Sequence, residues 1–506
     1  MFYWLLVVIA ALCFLITFFT LPMFPKIWSL YLAGILLVIV GLLYLLSRAN
    51  TKNRLVKLLN ILVSAALLAV SIIFPKYTDQ ISTLFSEALG KSARISLYVM
   101  TDEYMAANPD IFDKPISSEE LADYKNAVFI TEYGLDQLNQ VYAVKELKTE
   151  LGVDSITSID RQSVQDAVRS LYQFEGDVLI MAESYESIVM ETEGFERFRS
   201  ETRKIGSFSR PIDTSVQPST AAITKETFSV FIGGNDEEGD LSLEGRTDVD
   251  MILTVNPNSH QIVMVNLPRD SYVPNPYWDN SRDKLTHLGL VGIDNTLAGV
   301  SQVLDESVDN YVLINFTTYQ QIIDAIGGVD VDNPYAFGFW DNEDVWFEEG
   351  PIHLDGADAL LYVRERYTLP DGDFGRNMHQ QLVLRAIIDK LTSPEMILHF
   401  NDILDAMRGT FLTNLSSDSI YAFCQKQLDE NIKWNIVNYR VLGESDYGAC
   451  ASAPGEWLSV VYIYPNQIEF LRDVLKEVHA GNIIEQQELP EGDFETDDGI
   501  LDYSNE

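Results

Sequence analysis

Three stretches at the start of the chain, Phe2–Leu21, Trp28–Leu46 and Leu58–Phe74, are almost free of polar positions. At about 1.5 Å of rise per residue, each nears the length needed to cross roughly 30 Å of hydrocarbon. The pattern predicts three transmembrane helices, with a leader or a re-entrant pair as the alternative; the first run lacks a basic leading segment, and two further spans follow it. After residue 75 the pattern changes to short apolar runs alternating with helical periods. Ile95–Met100, Ala127–Thr131 and Asp177–Met181 read as strands, Tyr133–Thr149, Ser163–Tyr172 and an acidic stretch over Glu183–Phe198 as helices. Arg210–Thr220, with Pro211, Pro218 and several hydroxyl residues, reads as a connection.

A second α/β alternation follows. Phe228–Ile232, Val249–Val255, Gln261–Leu267 and Tyr311–Phe316 are predicted strands, Thr296–Asp305 and Tyr319–Ile326 helices, and Gly327-Gly328 a turn into another strand at Val329–Val331. Ala357–Arg366 reads as a short helix or turn entering a strand, and Arg376–Leu391 as a helix. The alternation predicts an α/β fold, a mixed central β-sheet flanked by helices, with a smaller α/β accessory domain before it. The expected organisation is a transmembrane region at 1–75, an extracytoplasmic accessory domain at 92–225, a catalytic domain at 226–484 and a mobile acidic tail at 485–506.

Charge sharpens this division. The chain of 506 residues has 35 basic and 75 acidic residues, a formal net charge of −40. Residues 1–74 hold five basic residues, Lys26, Arg48, Lys52, Arg54 and Lys57, and no acid, so the remainder carries 30 basic and 75 acidic residues. Four of the five crowd the loop between spans two and three, which the positive-inside rule places in the cytoplasm. The expected location is a multi-pass bacterial membrane protein with a cytoplasmic N terminus and both outer domains extracytoplasmic. Such an acidic outer portion would be repelled by nucleic acid, and no helix-turn-helix stands out, so a membrane-bound transcription regulator is disfavoured. Cys13 lies in a span; Cys424 and Cys450 suit either a disulfide or two separate buried thiols.

The candidate chemistry is concentrated between residues 231 and 381. FIGGNDEEGDLSLEGRTDVD sets Asp236 at one strand's exit and Arg246, Asp248 and Asp250 at the next strand's entrance. Hard carboxylate oxygens suit Mg²⁺ or Mn²⁺, although an exposed acidic loop or a calcium site would look the same. Arg269, after the strand QIVMVNL, can present its fork to phosphate oxygens or pair with Asp270. In LLYVRERYTLPDGDFGRNMHQQ, strand alternation would put Arg364 and Arg366 on one face, and Arg376, His379 and Gln380 can share a helix face. Convergent arginines call for acids or a dense anion such as pyrophosphate, while ordinary surface ion pairs are the plainer reading. Lys284 could add a phosphate contact, and His287 reads as a packing residue before a proton-transfer group. No G-x-x-x-x-G-K-[ST], H-E-x-x-H or G-x-S-x-G motif occurs, which argues against common NTP hydrolysis, zinc proteolysis and α/β-hydrolase chemistry.

On these residues the chain resembles the LytR–CpsA–Psr family of extracytoplasmic cell-envelope phosphotransferases. The resemblance rests on GRTD at 245–248, LPRDSYV at 267–273, INF and DAIGGVDV around 315 and 324–331, and VRERY followed by DFGR and QQ. It covers most of residues 226–394, and the spans and the 92–225 segment look like the capsule-associated branch with an accessory domain. The resemblance implies transfer of a glycan phosphate, from capsule, teichoic acid or a related polymer, from an undecaprenyl-diphosphate carrier to a peptidoglycan sugar hydroxyl, releasing undecaprenyl phosphate. It implies Asp236 and Asp248 as a Mg²⁺ (or Mn²⁺) pair and Arg269, Arg364, Arg366 and Arg376 as a pyrophosphate clamp. Arg246, Lys284 and Gln380 join the substrate-binding set. The expected partners are the lipid-linked glycan, peptidoglycan, the bilayer and capsule or wall-polymer assembly proteins.

His379 departs from the common GR-x-x-RQQ pattern, replacing a permanent charge with a titratable one, and Asp250 adds an acid beside GRTD. Sheet residues and the Met378–Ile388 helix would enclose the proximal isoprenes. The competing classes are a lipid-linked glycan diphosphatase, with water as acceptor, and a noncatalytic glycan-binding assembly protein.

Overall fold

The computed structural model of the protein describes residues 2–20, 26–49, 53–86, 92–112, 115–212, 222–235, 242–370, 372–393, 411–494 and 501–503. The apolar runs form α1 (Phe2–Thr20), α2 (Lys26–Ala49) and α3 (Arg54–Ser86), each with a segment long and apolar enough to cross a membrane. Hydrogen bonds from polar side chains link the helices. Trp4 Nε1 donates to the Val40 carbonyl (3.0 Å), and Asn60 Nδ2 to Ser47 Oγ (3.1 Å). In hydrocarbon an unmet donor would cost several kcal/mol, so such pairs fix how helices face each other.

The first α/β unit after these helices runs β1 (Ser92–Met100), α4 (Asp102–Ala107), β2 (Val128–Glu132), α5 (Gln137–Leu151), β3 (Thr157–Arg161), α6 (Val164–Tyr172), β4 (Val178–Ala182), α7 (Glu186–Glu191), α8 (Phe198–Glu201) and β5 (Thr202–Pro211). The strands pair in the order β3-β2-β4-β1-β5. Central β1 and β4 are buried on both faces and were legible as apolar runs; β3 and β5 are edge strands of mixed, half-exposed residues and were not. The single helix expected over Glu183–Phe198 is broken into α7 and α8, with Gly194 at φ +91° in the turn between them.

The second unit opens with β6 (Phe228–Asn235), β7 (Val249–Asn256), β8 (Gln261–Leu267), β9 (Tyr272–Asn275), β10 (Ser281–Lys284), α9 (Leu285–Leu288), α10 (Ile293–Leu304), β11 (Asn310–Asn315) and α11 (Phe316–Ala325). It continues through β12 (Val329–Asn333), β13 (Phe337–Phe339), β14 (Asn342–Phe347), β15 (Gly350–Leu354), α12 (Gly356–Arg364), α13 (Asp373–Leu391), β16 (Phe411–Thr413) and α14 (Ser417–Glu430). The last elements are β17 (Asn435–Arg440), β18 (Gly443–Ala449), β19 (Trp457–Ile463) and α15 (Pro465–His479).

The main sheet has the order β16-β11-β6-β7-β8-β17, with β11–β6 and β8–β17 parallel and the other pairs antiparallel. Alternation divides its residues between two cores. Phe231, Ile252, Val263 and Val265 pack with Leu297 and Val300 of α10 and Leu471 and Leu475 of α15. Val230, Met251, Met264 and Ile436 turn the other way, toward Leu384 and Ile388 of α13 and Phe423 of α14.

The strand expected after Ala357 is not formed. Helix α12 ends at Arg364, Glu365 turns into extended backbone (φ −64°, ψ 132°), and a loop leads to α13. The two α/β units share packing, because Tyr272, Leu290, Leu458 and Val460 belong to the same apolar cluster as Leu97, Phe129 and Ile180. The acidic tail, expected to be mobile, is tied down in its described part: Leu501 is buried and the Arg282 guanidinium lies 4.5 Å from the Tyr503 ring centroid.

Candidate functional site

Sheet register gathers the candidate residues at one end of the main sheet. Asn315 at the end of β11 is level with Asn235 at the end of β6, Asp250 near the start of β7 with Leu267 at the end of β8, and Asn266 with Arg440 at the end of β17. The GRTD loop enters this edge beside Gly289, whose carbonyl accepts from the Gly245 amide at 2.9 Å. A β-carbon on Gly289 would lie 2.1 Å from the Gly245 carbonyl oxygen, so the approach requires glycine.

Asp248 lies at the centre of an inner charged cluster. Its carboxylate accepts from Arg269 Nη1, and the Arg269 Nε lies 3.5 Å from Asp270. Burial would raise the Asp248 carboxyl, but the charges of Arg269, Arg246 and Arg376 hold it below the usual carboxylate range. Lys284 Nζ sits 3.4 Å from Asp270 and 3.1 Å from Glu191, and Arg246 Nη1 donates to the other Glu191 oxygen at 2.6 Å. Burial would also raise Glu191; Arg246 and then Lys284 outweigh it, taking the group down to about 2. Glu191 ends α7 of the first α/β unit, so that unit supplies an acid to the cluster. Sequence reasoning missed it, since nothing local in an acid-rich helix marks one carboxylate as facing a loop 55 positions away.

Asp250 is almost fully buried, with Oδ1 accepting from Thr247 Oγ1 at 2.5 Å. Its Oδ2 is buried and has no hydrogen-bond partner among the described residues. Burial, reinforced by the Asp248 charge and resisted by the Thr247 bond, pushes the group up to about 8. An orphaned carboxylate oxygen beside a second carboxylate is donor chemistry that fits a hard divalent cation. Asp236, the other expected metal ligand, lies outside the described residues.

The arginines expected on one strand face do not lie on a strand. Arg364, the last residue of α12, places its guanidinium 4.4 Å from the Phe316 ring centroid, beside the end of β11. Arg366 lies in the loop, 4.7 Å from the Tyr367 ring centroid, and donates to the Tyr367 hydroxyl at 2.6 Å. Between them Glu365 is fully buried, and its carboxylate accepts from the backbone amides of Trp340 (2.8 Å), Tyr367 (2.6 Å) and Thr368 (2.9 Å). A buried acid thus pins the loop from inside while the flanking arginines project elsewhere. The site has an inner group, Arg246, Asp248, Arg269, Lys284 and Arg376, and an outer pair, Arg364 and Arg366.

The LytR_cpsA_psr family pattern matches residues 192–468 of the chain, more than half of its length. The chain belongs to the LytR_cpsA_psr family. It is 35% identical over 225 residues to the polyisoprenyl-teichoic acid–peptidoglycan teichoic acid transferase TagU of Bacillus cereus (strain AH820), covering 44% of this chain and 72% of that protein. The Enterococcus faecalis protein of the same name is 36% identical over 198 residues, covering 39% of this chain and 64% of that one. The crystal structure of B. subtilis TagV aligns with a TM-score of 0.42 and 26% identity over 50% of this chain and 97% of that chain.

Glu191 falls one residue before the matched LytR_cpsA_psr region, so an acid outside the family pattern reaches two cations inside it. Within that region the shared helix face divides. Gln380 Oε1 accepts from Asn266 Nδ2 at 3.4 Å, at the sheet edge. His379 points instead into an aromatic core, stacked 4.2 Å from Tyr362 and 4.8 Å from Phe337, with Nδ1 donating to the Tyr362 carbonyl at 3.2 Å. Four residues along a helix return close to the same face, whereas three leave a side chain about 60° away. Burial takes His379 down to about 4, so it is neutral packing rather than a titratable replacement for a clamp charge. His287 is also fully buried, with Nδ1 2.9 Å from Asp283 and 2.8 Å from Ser452 Oγ. Cys424 and Cys450 are both free thiols.

Proposed function

We propose that the protein transfers a glycan phosphate from an undecaprenyl-diphosphate carrier to a sugar hydroxyl of peptidoglycan, forming a phosphodiester and releasing undecaprenyl phosphate. The observation that carries this reading is the convergence of Arg246, Arg269, Lys284 and Arg376 on Asp248 and its neighbours at one sheet edge, with Lys284 and Arg376 buried and Arg246 and Arg269 partly so, a set of cations suited to diphosphate. The names of the TagU relatives, teichoic acid transferases acting on peptidoglycan, support the same class of substrates.

Arg269 and Arg246 would hold the diphosphate oxygens, and Arg376 would add charge from α13. Arg364 and Arg366 would meet the phosphate from the outer side. Asp248, kept ionised by its arginines, would orient the acceptor hydroxyl. Mg²⁺, held by Asp248 with Asp236 and with the orphaned Asp250 oxygen close by, would neutralise charge on the phosphate. Met251, Met264, Leu384 and Ile388 line the apolar side of the sheet and α13 and would take the first isoprenes. The three apolar helices would keep the site near the bilayer that holds the lipid, with the N terminus cytoplasmic and both outer units outside.

The test is to incubate the full chain in detergent with Mg²⁺, an undecaprenyl-diphosphate-linked envelope glycan and a peptidoglycan oligomer, and to seek the phosphodiester adduct by intact-product mass spectrometry. An adduct lost on Arg269→Ala supports the reading. Soluble sugar phosphate would instead make the protein a diphosphatase, and unchanged substrates would overturn catalysis on that donor.

A further inference from the structure

We propose that Trp340 and Tyr367, beside Arg366, form a sugar-stacking subsite for the pyranose ring attached to the donor phosphate. This rests on the phosphotransferase reading for the phosphate that places the sugar there.

The rings are exposed where burial would be expected. Trp340 is 56% exposed and Tyr367 64%, with centroids 5.2 Å apart and nearly edge-to-face. Exposed aromatic surface gathered at one place marks a contact site more often than a scattered one. The backbone that carries the pair is also pinned by what lies beneath it. The Glu365 carboxylate accepts from the Trp340 and Tyr367 amides, Thr368 Oγ1 donates to the Gly338 carbonyl at 2.6 Å, and Phe337 and Phe347 anchor the β13–β14 hairpin on Tyr362. Rings carried on a backbone fixed before binding lose less freedom when a ligand settles on them.

The chemistry at the two ends selects the ligand. Arg366 packs on the Tyr367 ring and bonds to its hydroxyl, so a cation stands on one side of the aromatic pair. The hairpin itself is acidic: Asp341, Glu343 and Asp344 lie on it and Glu348 and Glu349 directly follow it, with no Lys or Arg between residues 337 and 350. Such a surface is repelled by anionic lipid headgroups, which argues against a membrane-interface role for the aromatics. A sugar fits both features. Its hydroxyls donate to carboxylates, its C–H face meets the electron-rich ring face, and its phosphate reaches toward the arginine.

The test measures binding without acceptor, on the full chain in detergent, by titration calorimetry. The probes are a short-chain polyprenyl diphosphate bearing N-acetylglucosamine and the same polyprenyl diphosphate without the sugar. The wild type is expected to bind the sugar-bearing probe at least tenfold more tightly. Trp340→Ala is expected to bring that ratio near one while leaving affinity for the sugarless probe within twofold, and Trp340→Phe to retain most of the preference. A wild-type ratio near one, an unchanged ratio in Trp340→Ala, or equal loss for both probes overturns the subsite. So does a loss of binding to anionic phosphatidylglycerol vesicles with sugar preference intact, which assigns the hairpin to the membrane. Absence of adduct from the wild type with acceptor present is a separate readout that counts against the transferase reading alone.

Discussion

The Glu191 carboxylate bridges Arg246, at 2.6 Å from Nη1, and Lys284, at 3.1 Å from Nζ, joining the first α/β unit to cations of the second. A carboxylate between two buried cations occupies the kind of position that a phosphate oxygen would take. Removing its charge leaves their positive field less compensated. Glu191→Gln is therefore expected to tighten binding of inorganic pyrophosphate by about tenfold, between the roughly 1 kcal/mol of one charge at 4 Å in water and the roughly 4 kcal/mol near a protein surface. Calorimetry on the full chain checks this; weaker binding would mean that Glu191 holds the cations in their working geometry.

Gly289 provides a steric test of the GRTD loop. With a β-carbon only 2.1 Å from the Gly245 carbonyl oxygen, Gly289→Ala must push the backbone apart or break the 2.9 Å Gly245–Gly289 hydrogen bond. The expected cost is about 1–3 kcal/mol, as for other overpacked sites. Because the loop carries Arg246 and Asp248, transfer activity should fall further than the loss of folded protein explains. A thermal melt alongside a transfer assay separates the two, and unchanged activity would show that the loop is indifferent to this contact.

His379 predicts a pH effect on stability and none on the phosphate site. Its folded pKa of about 4 lies below the ordinary 6.5, so the unfolded chain binds the extra proton first. The stabilising contribution is complete above about pH 6.5 and is lost as pH falls toward 4; the shift corresponds to about 3 kcal/mol. His379→Phe, which preserves the stack on Phe337 and Tyr362, should flatten the Tm profile across that window. Pyrophosphate affinity between pH 6.5 and 8 should be the same in both proteins, and a step seen only with His379 present would return that residue to the clamp.

These contrasts show where sequence reading succeeds and where it stops. β8 was legible because Gln261–Leu267 is buried along its whole length, and α13 because its apolar recurrence spans several turns. β5 was not, since an edge strand carrying Arg203, Lys204, Ser207 and Ser209 shows no apolar run, only pairing with β1. The GRTD and PRD residues were found because they lie at predicted strand ends, where register brings Asp250 level with Leu267. VRERY was read by strand alternation, whereas α12 runs to Arg364 and a loop follows it. What holds that loop is Glu365, whose buried carboxylate takes three backbone amides from two separate segments. Glu191 shows the same limit, because its partners come from tertiary packing alone.

Asp248 and Asp250 give the last prediction, by metal addition and removal. If Mg²⁺ binds the folded chain at these carboxylates, it stabilises by mass action, about 2.7 kcal/mol at a hundredfold excess over its Kd. Tm should therefore rise with Mg²⁺ in the wild type and return on chelation. Asp248→Asn removes an ionised ligand but also strands the Arg269 charge, so a lower starting Tm alone proves little. The informative quantity is the Mg²⁺-dependent increment, expected to vanish in Asp248→Asn. In Asp250→Asn it should shrink, because the carboxyl, held protonated up to about pH 8, can give up its proton to become a ligand for a hard cation and an amide cannot. An undiminished increment in Asp248→Asn would place the ion elsewhere and leave Asp248 as the partner of Arg269 only.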